Sequence, residues 1–257
     1  MSEPLQIPQD FEAGPDTLAG RVILITGAAG GVGSAVARAC ARAGARLILL
    51  DKALKKLEAL YDELVAQGAD EPFLHAMDLE GVGPAEFLEL ATALDQQYGQ
   101  LDGLVHCAAM LGELSPLEQY NAELWARTLH VNLNAPFLLN QVCLPLLRRS
   151  DDARIIHTSD RSGRQGLAYW GAFGVAQGGV EIMMQTLAAE VARGQRIRVT
   201  SLDPGPVNTP MRQRAYPAER PDKLINADDA ARDYLYLLSE RGRQWHGKML
   251  TGTNAGS

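Results

Sequence analysis

Short apolar runs rich in Val, Ile and Leu punctuate the chain, and between them lie longer stretches whose apolar residues recur at helical spacing. The runs are VILIT from Val22, RLILLD from Arg46, FLHAMDL from Phe73, DGLVHC from Asp102, ARIIHTS from Ala153, RVTSLDP from Arg198 and GKMLTG from Gly247. The stretches between them predict helices over 33–43, 54–66, 84–98, 123–148, 171–192 and 227–239. Strands alternating with helices in this way are joined by right-handed crossovers into a parallel sheet. The expected fold is therefore one α/β domain, a doubly wound sheet of about seven strands with helices on both faces.

Two segments stand outside this alternation. Residues 1–18 are acidic and proline-bearing, which predicts a flexible arm ahead of a domain spanning 19–257. Residues 204–225 follow the carboxyl end of a strand and are rich in proline and arginine, which predicts a substrate-lid loop.

Charge and composition then narrow the field. The chain has 257 residues with 24 basic and 31 acidic side chains, a formal charge of −7. That balance, with no cluster of Lys and Arg, argues against a nucleic-acid partner. No apolar run is long enough to span a membrane, and the first residues lack the apolar stretch of a secretory signal. Cys40, Cys107 and Cys143 are odd in number and lack metal-ligand spacing, so no disulfide or metal site is expected and a cytoplasmic location fits. The lysines are few: none lies between Leu57 and Asp222.

The first strand runs into Thr26-Gly27-Ala28-Ala29-Gly30-Gly31-Val32-Gly33 and then a helix. Gly27 suits a tight turn, Gly31 a close approach of backbone to a pyrophosphate, and Gly33 close packing of helix on strand. The helix start itself offers free N–H groups to an anion. Asp51 ends the second strand, where a carboxylate receives the ribose hydroxyls of a dinucleotide. The same carboxylate repels a ribose 2′-phosphate, so NAD(H) is expected over NADP(H), with the adjacent Lys52 tempering that preference.

The spacing TGxxxGxG resembles that of the short-chain dehydrogenase/reductase family, and further landmarks follow in order. Asp78-Leu79 looks like the family's adenine-contacting pair, and His106-Cys107-Ala108-Ala109 stands where the family has Asn-Asn-Ala-Gly. Asn132 looks like the asparagine of the proton relay, and Pro204-Gly205 with Thr209 like the turn that covers the nicotinamide. The resemblance implies a Rossmann-type fold that binds a nicotinamide dinucleotide through Gly27, Gly31, Val32, Gly33, Asp51, Asp78, Leu79, Ala108, Pro204, Gly205 and Thr209. It also implies hydride exchange with a carbonyl or alcohol, and a homo-oligomer, dimer or tetramer, built on helices 123–148 and 171–192. Val180, Met183, Met184, Leu187 and Val191 give the latter helix an apolar face, which core packing also explains.

The family's proton donor is a tyrosine with a lysine four residues later, and here the resemblance departs. Phe173 stands at the tyrosine position, Gln177 at the lysine position and Asp160, beside Ser159, at that of the substrate-polarising serine; Asn132 alone is kept. No Tyr-x-x-x-Lys occurs anywhere, and the nearest pair, Tyr216 with Arg220, lies in the proline-rich segment. A phenyl ring has no exchangeable proton and a carboxamide no charge, so the expected protein binds NAD(H) but is impaired in ordinary alcohol and ketone chemistry. The competing expectation is an active oxidoreductase with a rearranged acid/base. For it, Tyr169 shares a predicted helix face with 173 and 177, and Asp160 and His157 are lesser candidates. Ala109 adds a methyl beside the expected cofactor, and Arg161 and Arg164 are either solvated or placed to attract an anion.

Overall fold

A computed structural model describes residues 5–194 and 196–253. Its sheet has eight strands, all parallel: β1 (Leu5–Gln6), β2 (Val22–Thr26), β3 (Arg46–Asp51), β4 (Phe73–Ala76), β5 (Gly103–His106), β6 (Ala153–Thr158), β7 (Ile197–Asp203) and β8 (Lys248–Thr251). They lie in the order β1-β8-β7-β6-β5-β2-β3-β4. Around them pack α1 (Gly31–Arg42), α2 (Leu54–Ala66), α3 (Pro84–Tyr98), α4 (Ala122–Leu129), α5 (Ala135–Leu147), α6 (Gly171–Val191), α7 (Pro210–Ala215) and α8 (Ala227–Leu238). The doubly wound sheet expected from the alternation is what forms.

Successive residues of a strand point to opposite faces, and the core divides accordingly. Ile23, Ile25, Val105, Ile156 and Leu202 pack with α1 and α8 on one side. Val22, Leu24, Leu104, Ile155 and Val199 pack with α3, α5 and α6 on the other. Strands buried on both faces read as continuous apolar runs, and VILIT is buried at every position. The chain order reverses between β2, which continues to β3, and β5 on its other side. At such a switch point the loops beyond the strand ends part and leave a crevice.

Three expectations are corrected. The segment expected to be a free arm contributes β1, with Leu5 opposite Leu250 and Gln6 opposite Thr251 on β8, while Ile7 and Phe11 are buried. The alternation missed it because two residues pairing with the far end of the chain carry no local periodicity. The single helix expected over 123–148 is α4 and α5 joined through a wider π-type turn at His130–Asn134. The segment 204–225 is partly helical: Pro210 opens α7 and Pro221 opens a 3-10 turn, both at first-turn positions where a missing N–H costs nothing. No helix among the described residues is long and apolar enough to cross a membrane.

The packing of the N-terminal segment is directly testable. Phe11 is 4% exposed and meets Tyr236 edge to face at 5.3 Å. Phe11→Ala is expected to lower stability by about 3 kcal/mol in urea unfolding, whereas a free arm would give no change.

Candidate functional site

The glycine turn is built by contacts that exclude a side chain. A Cβ on Gly33 would fall 2.1 Å from the carbonyl oxygen of Gly27, so α1 can start this close to β2 only with glycine there. Gly27 itself has φ +63° and faces the backbone of Ala108. Thr26 on β2 holds that neighbour in place, its Oγ1 accepting from the amides of Cys107 and Ala108, both at 3.2 Å. Over Gly31 lies the methyl of Thr209, which closes the turn from above.

α1 begins without a side-chain cap and with no acidic residue in its first turn. Its leading N–H groups and the positive end of the helix dipole are thus left for an anion. Asp51 stands at the end of β3 and is tied to the same turn: Oδ2 accepts from the amide of Ala29 at 3.1 Å and Oδ1 from that of Ala53 at 2.9 Å. Lys52 is turned to Asp78, Nζ to Oδ1 3.7 Å, with both side chains more than half exposed. Leu79 is buried in the core beside them. An uncapped helix start, a glycine cradle and a strand-end carboxylate fit a dinucleotide.

At the other end of the crevice lies a cleft lined by Val32, Cys107, Ala108, Ala109, Thr158, Ser159, Asp160, Trp170, Phe173, Gln177, Asp203, Pro204, Gly205, Thr209 and Arg212. The structure thus gathers Val32, Ala108, Asp160, Phe173, Gln177, Pro204, Gly205 and Thr209 at one cavity. Gly27, Gly31, Gly33 and Asp51 belong to the turn beside it, and Asp78 and Leu79 lie beyond. Asn132 sits in the π-type turn, 3% exposed, and works as a clamp. Its Nδ2 donates to the carbonyls of Met110 and Thr128, and its Oδ1 accepts from the amide of Met110, which fixes the loop after β5.

Side chains that sequence reasoning passed over complete the cleft. Trp170 meets Phe173 at 5.6 Å and Tyr216 at 5.7 Å between ring centroids. Arg212 lies 4.0 Å above the Tyr216 ring and is held by Glu219 through two bonds of 2.6 and 2.7 Å. Asp203 gives Oδ1 to the amide of Gly205 at 2.9 Å. Burial raises its carboxyl above the usual range, and the negative charge of Asp160 adds to the rise. Its place, ending β7 just before Pro204-Gly205, was the available signal. The thiol of Cys107 is pushed up to about 12 by burial, so it stays protonated near neutral pH.

Several candidate groups are placed elsewhere. Tyr169 precedes α6 rather than lying on its face. It has φ +73°, is 59% exposed, and does not line the cleft. Tyr216 and Arg220 form no pair, since Tyr216 stacks on Trp170 while Arg220 binds Asp222. Ser159 donates its hydroxyl to Glu181, whose second oxygen accepts from Ser201. Arg164, expected to be solvated or to draw an anion, does neither. It is buried against Glu181 at 2.8 Å and reaches the carbonyl of Leu250 at 3.0 Å. Sequence distance hid that pair, because Glu181 sits on α6 among apolar neighbours. Asp160 gives Oδ1 to the amide of Ser162 at 2.7 Å and starts a short 3-10 turn.

Beneath the cleft, His106 and His157 face each other on adjacent strands, stacked at 4.5 Å with an 8° tilt. Asn140 of α5 bridges their Nε2 atoms: Oδ1 lies 3.0 Å from His106 and Nδ2 3.3 Å from His157. Neither Nδ1 has a partner. Burial pulls His106 down to about 4, and burial plus the neighbouring ring lowers His157 well below the ordinary value. Both are therefore neutral packing groups near pH 7, and His157 is no acid for the cleft.

Comparison with known proteins agrees with this architecture. Residues 21–220 match the short chain dehydrogenase family. The oxidoreductase YciK of Escherichia coli (strain K12), whose own reaction is uncharacterised, is 37% identical over 234 residues, 91% of this chain and 92% of YciK. A Pseudomonas syringae protein described as a short chain dehydrogenase superposes with a TM-score of 0.92 at 41% identity, over 94% of this chain and 98% of its own. Another, from E. coli CFT073 and complexed with NADPH, superposes with a TM-score of 0.89 at 36% identity, over 92% of this chain and 98% of its own. The chain belongs to the short chain dehydrogenase family of oxidoreductases.

The imidazole pair carries a pH signature. A folded value below the unfolded one means that stability is full above the unfolded value, near 6.5, and is lost as pH falls towards the folded value, about 4 for His106. The loss for each ring is roughly 1.4 kcal/mol per pH unit in that window. Urea unfolding at pH 7.5 and 5.0 should show a smaller drop for His106→Gln than for the parent chain. An equal drop would place the protonation elsewhere.

Proposed function

We propose that the chain binds a nicotinamide dinucleotide along the glycine turn and cleft but does not carry out the alcohol and ketone chemistry usual for its family. When bound, that cofactor supplies or takes up a hydride at a substrate carbon. The observation behind the reading is the cleft lining: it contains no tyrosine, lysine or histidine among the described residues. Phe173 and Gln177, buried in its wall, stand at the positions that the resemblance gives to the proton donor and its ammonium neighbour. A carbonyl that gains a hydride must also gain a proton, and this wall lacks the tyrosine and lysine pair that the resemblance gives that task.

The expectation of NAD over NADP is set aside. The NADPH-bound relative argues against it. In this chain both Asp51 oxygens are engaged by backbone amides, while the exposed ammonium of Lys52 stands alongside. A 2′-phosphate thus meets a partly satisfied carboxylate and an exposed cation shared with Asp78, and the proposal covers NADH and NADPH alike.

Self-association remains part of the proposal, with its surface revised. Val180, Met184 and Leu187 turn into the core, whereas Phe137 on α5 and Val175 and Ile182 on α6 are at least half exposed.

Calorimetry should show binding of NADPH or NADH, with negligible turnover of simple alcohols and ketones. In Phe173→Tyr/Gln177→Lys, carbonyl reduction should rise on the order of 10²-fold. Substantial turnover by the parent chain would overturn the reading of the catalytic positions, and absence of dinucleotide binding would overturn the cofactor.

A further inference from the structure

We infer that the cleft is built to receive a cation carrying an N–H donor, a protonated imine or amine, rather than a neutral carbonyl compound. This rests on the proposed function above, in which no proton donor stands at Phe173. The first argument is charge. Asp160 and Asp203 both line the cleft; Arg212, the cation that lines it with them, is held by Glu219, Arg164 is held by Glu181, and the exposed Arg161 next to Asp160 does not line it. Arg161 forms no ion pair among the described residues. Each of the two carboxylates uses one oxygen to hold a turn, Asp160 through Ser162 and Asp203 through Gly205. The second oxygen of each has no protein partner among the described residues.

The second argument is independent of charge. Gln177 is 5% exposed, lines the same cleft, and its Oε1 finds no hydrogen-bond donor in the protein. An unpaired buried acceptor is costly unless a ligand supplies the missing N–H or O–H. The hydroxyl donors beside the two carboxylates are committed elsewhere. Ser159 donates to Glu181, and Thr158 is shared between Tyr234 and Cys107. Unpaired acceptors in the lining suit a ligand that is itself a donor and positively charged.

Such a substrate also removes the chemical difficulty at Phe173. When a C=N⁺ carbon takes a hydride from a reduced nicotinamide dinucleotide, the hydride pair forms the new C–H bond. The C=N π pair moves onto nitrogen, and the cation becomes a neutral amine. No proton has to cross the cleft. Asp160 and Asp203 stabilise the charged substrate, and Gln177 accepts its N–H.

The test uses the full chain and three ring-matched probes: 2-methylpyrrolidinium, 2-methyl-1-pyrroline and the neutral 2-methylcyclopentanone. Calorimetry near pH 7 should show the ammonium binding at least tenfold more tightly than the ketone. Asp160→Asn and Asp203→Asn should each remove most of that difference. Asparagine keeps an acceptor for the turn amides, and circular dichroism checks the fold. In a single turnover the pyrroline should oxidise NADPH and the ketone should not. Equal binding of ammonium and ketone, or a preference that survives both substitutions, overturns the inference. So does a preference for oxidised over reduced dinucleotide that disappears in Asp160→Asn without any ammonium binding, which would make the carboxylates counter-ions of the nicotinamide ring. Ketone turnover would instead overturn the proposed function, while the ammonium titration, which needs no cofactor, still decides this inference.

Discussion

The closest constraint in the molecule is the contact between Gly33 and the carbonyl of Gly27, where there is no room for a single carbon atom. It forces the chain to leave β2 and enter α1 almost without a loop. The helix start is thereby brought over the strand ends, next to the amides that Thr26 gathers from β5. Every other part of the crevice is referred to this corner. Asp51 reaches it through Ala29, Ala108 packs on it, and Thr209 covers it from the far side of the switch point. A methyl at residue 33 would move the whole helix and with it the anion-binding end of the site.

The two halves of the crevice have diverged in chemistry while sharing that frame. The glycine turn keeps an uncapped helix start and a carboxylate, which are what a pyrophosphate and a ribose require. In the cleft the lining holds Phe173 and Gln177 beside Asp160 and Asp203. Asn132 still pins the loop after β5 through Met110, so the scaffold for a reaction is intact. What surrounds that scaffold is an aromatic wall of Trp170 and Phe173, with Tyr216 packed behind Trp170. A wall of this kind excludes water and strengthens the field of the carboxylates set beside it.

The strands, most helices and the glycine corner were legible because each depends on local information: an apolar run, a helical period, or a turn that tolerates only glycine. What was not legible depends on residues far apart in sequence. Arg164 with Glu181, Asn140 between His106 and His157, and Phe11 against Tyr236 are tertiary pairs, and no spacing rule announces them. Tyr169 failed as a helix-face candidate for a local reason instead, since its left-handed backbone puts it outside the helix that begins two residues later. Phe173 and Gln177 were singled out from sequence, but their burial in the cleft wall, and the orphan oxygen of Gln177, were not readable there.

The pairing of β1 with β8 joins Leu5 to Leu250 and Gln6 to Thr251, almost the full length of the chain apart. During synthesis the first segment therefore leaves the ribosome long before its partner exists, and it must wait while the strands between them assemble. Closing a loop of that length early is entropically costly, which favours docking of the N-terminal segment after β7 and β8 have paired. Until then the β8 edge presents unpaired backbone to solvent and to other nascent chains. The small strand that composition suggested was a loose tail thus covers β8 and leaves its own two residues, Leu5 and Gln6, as the edge on that side of the sheet.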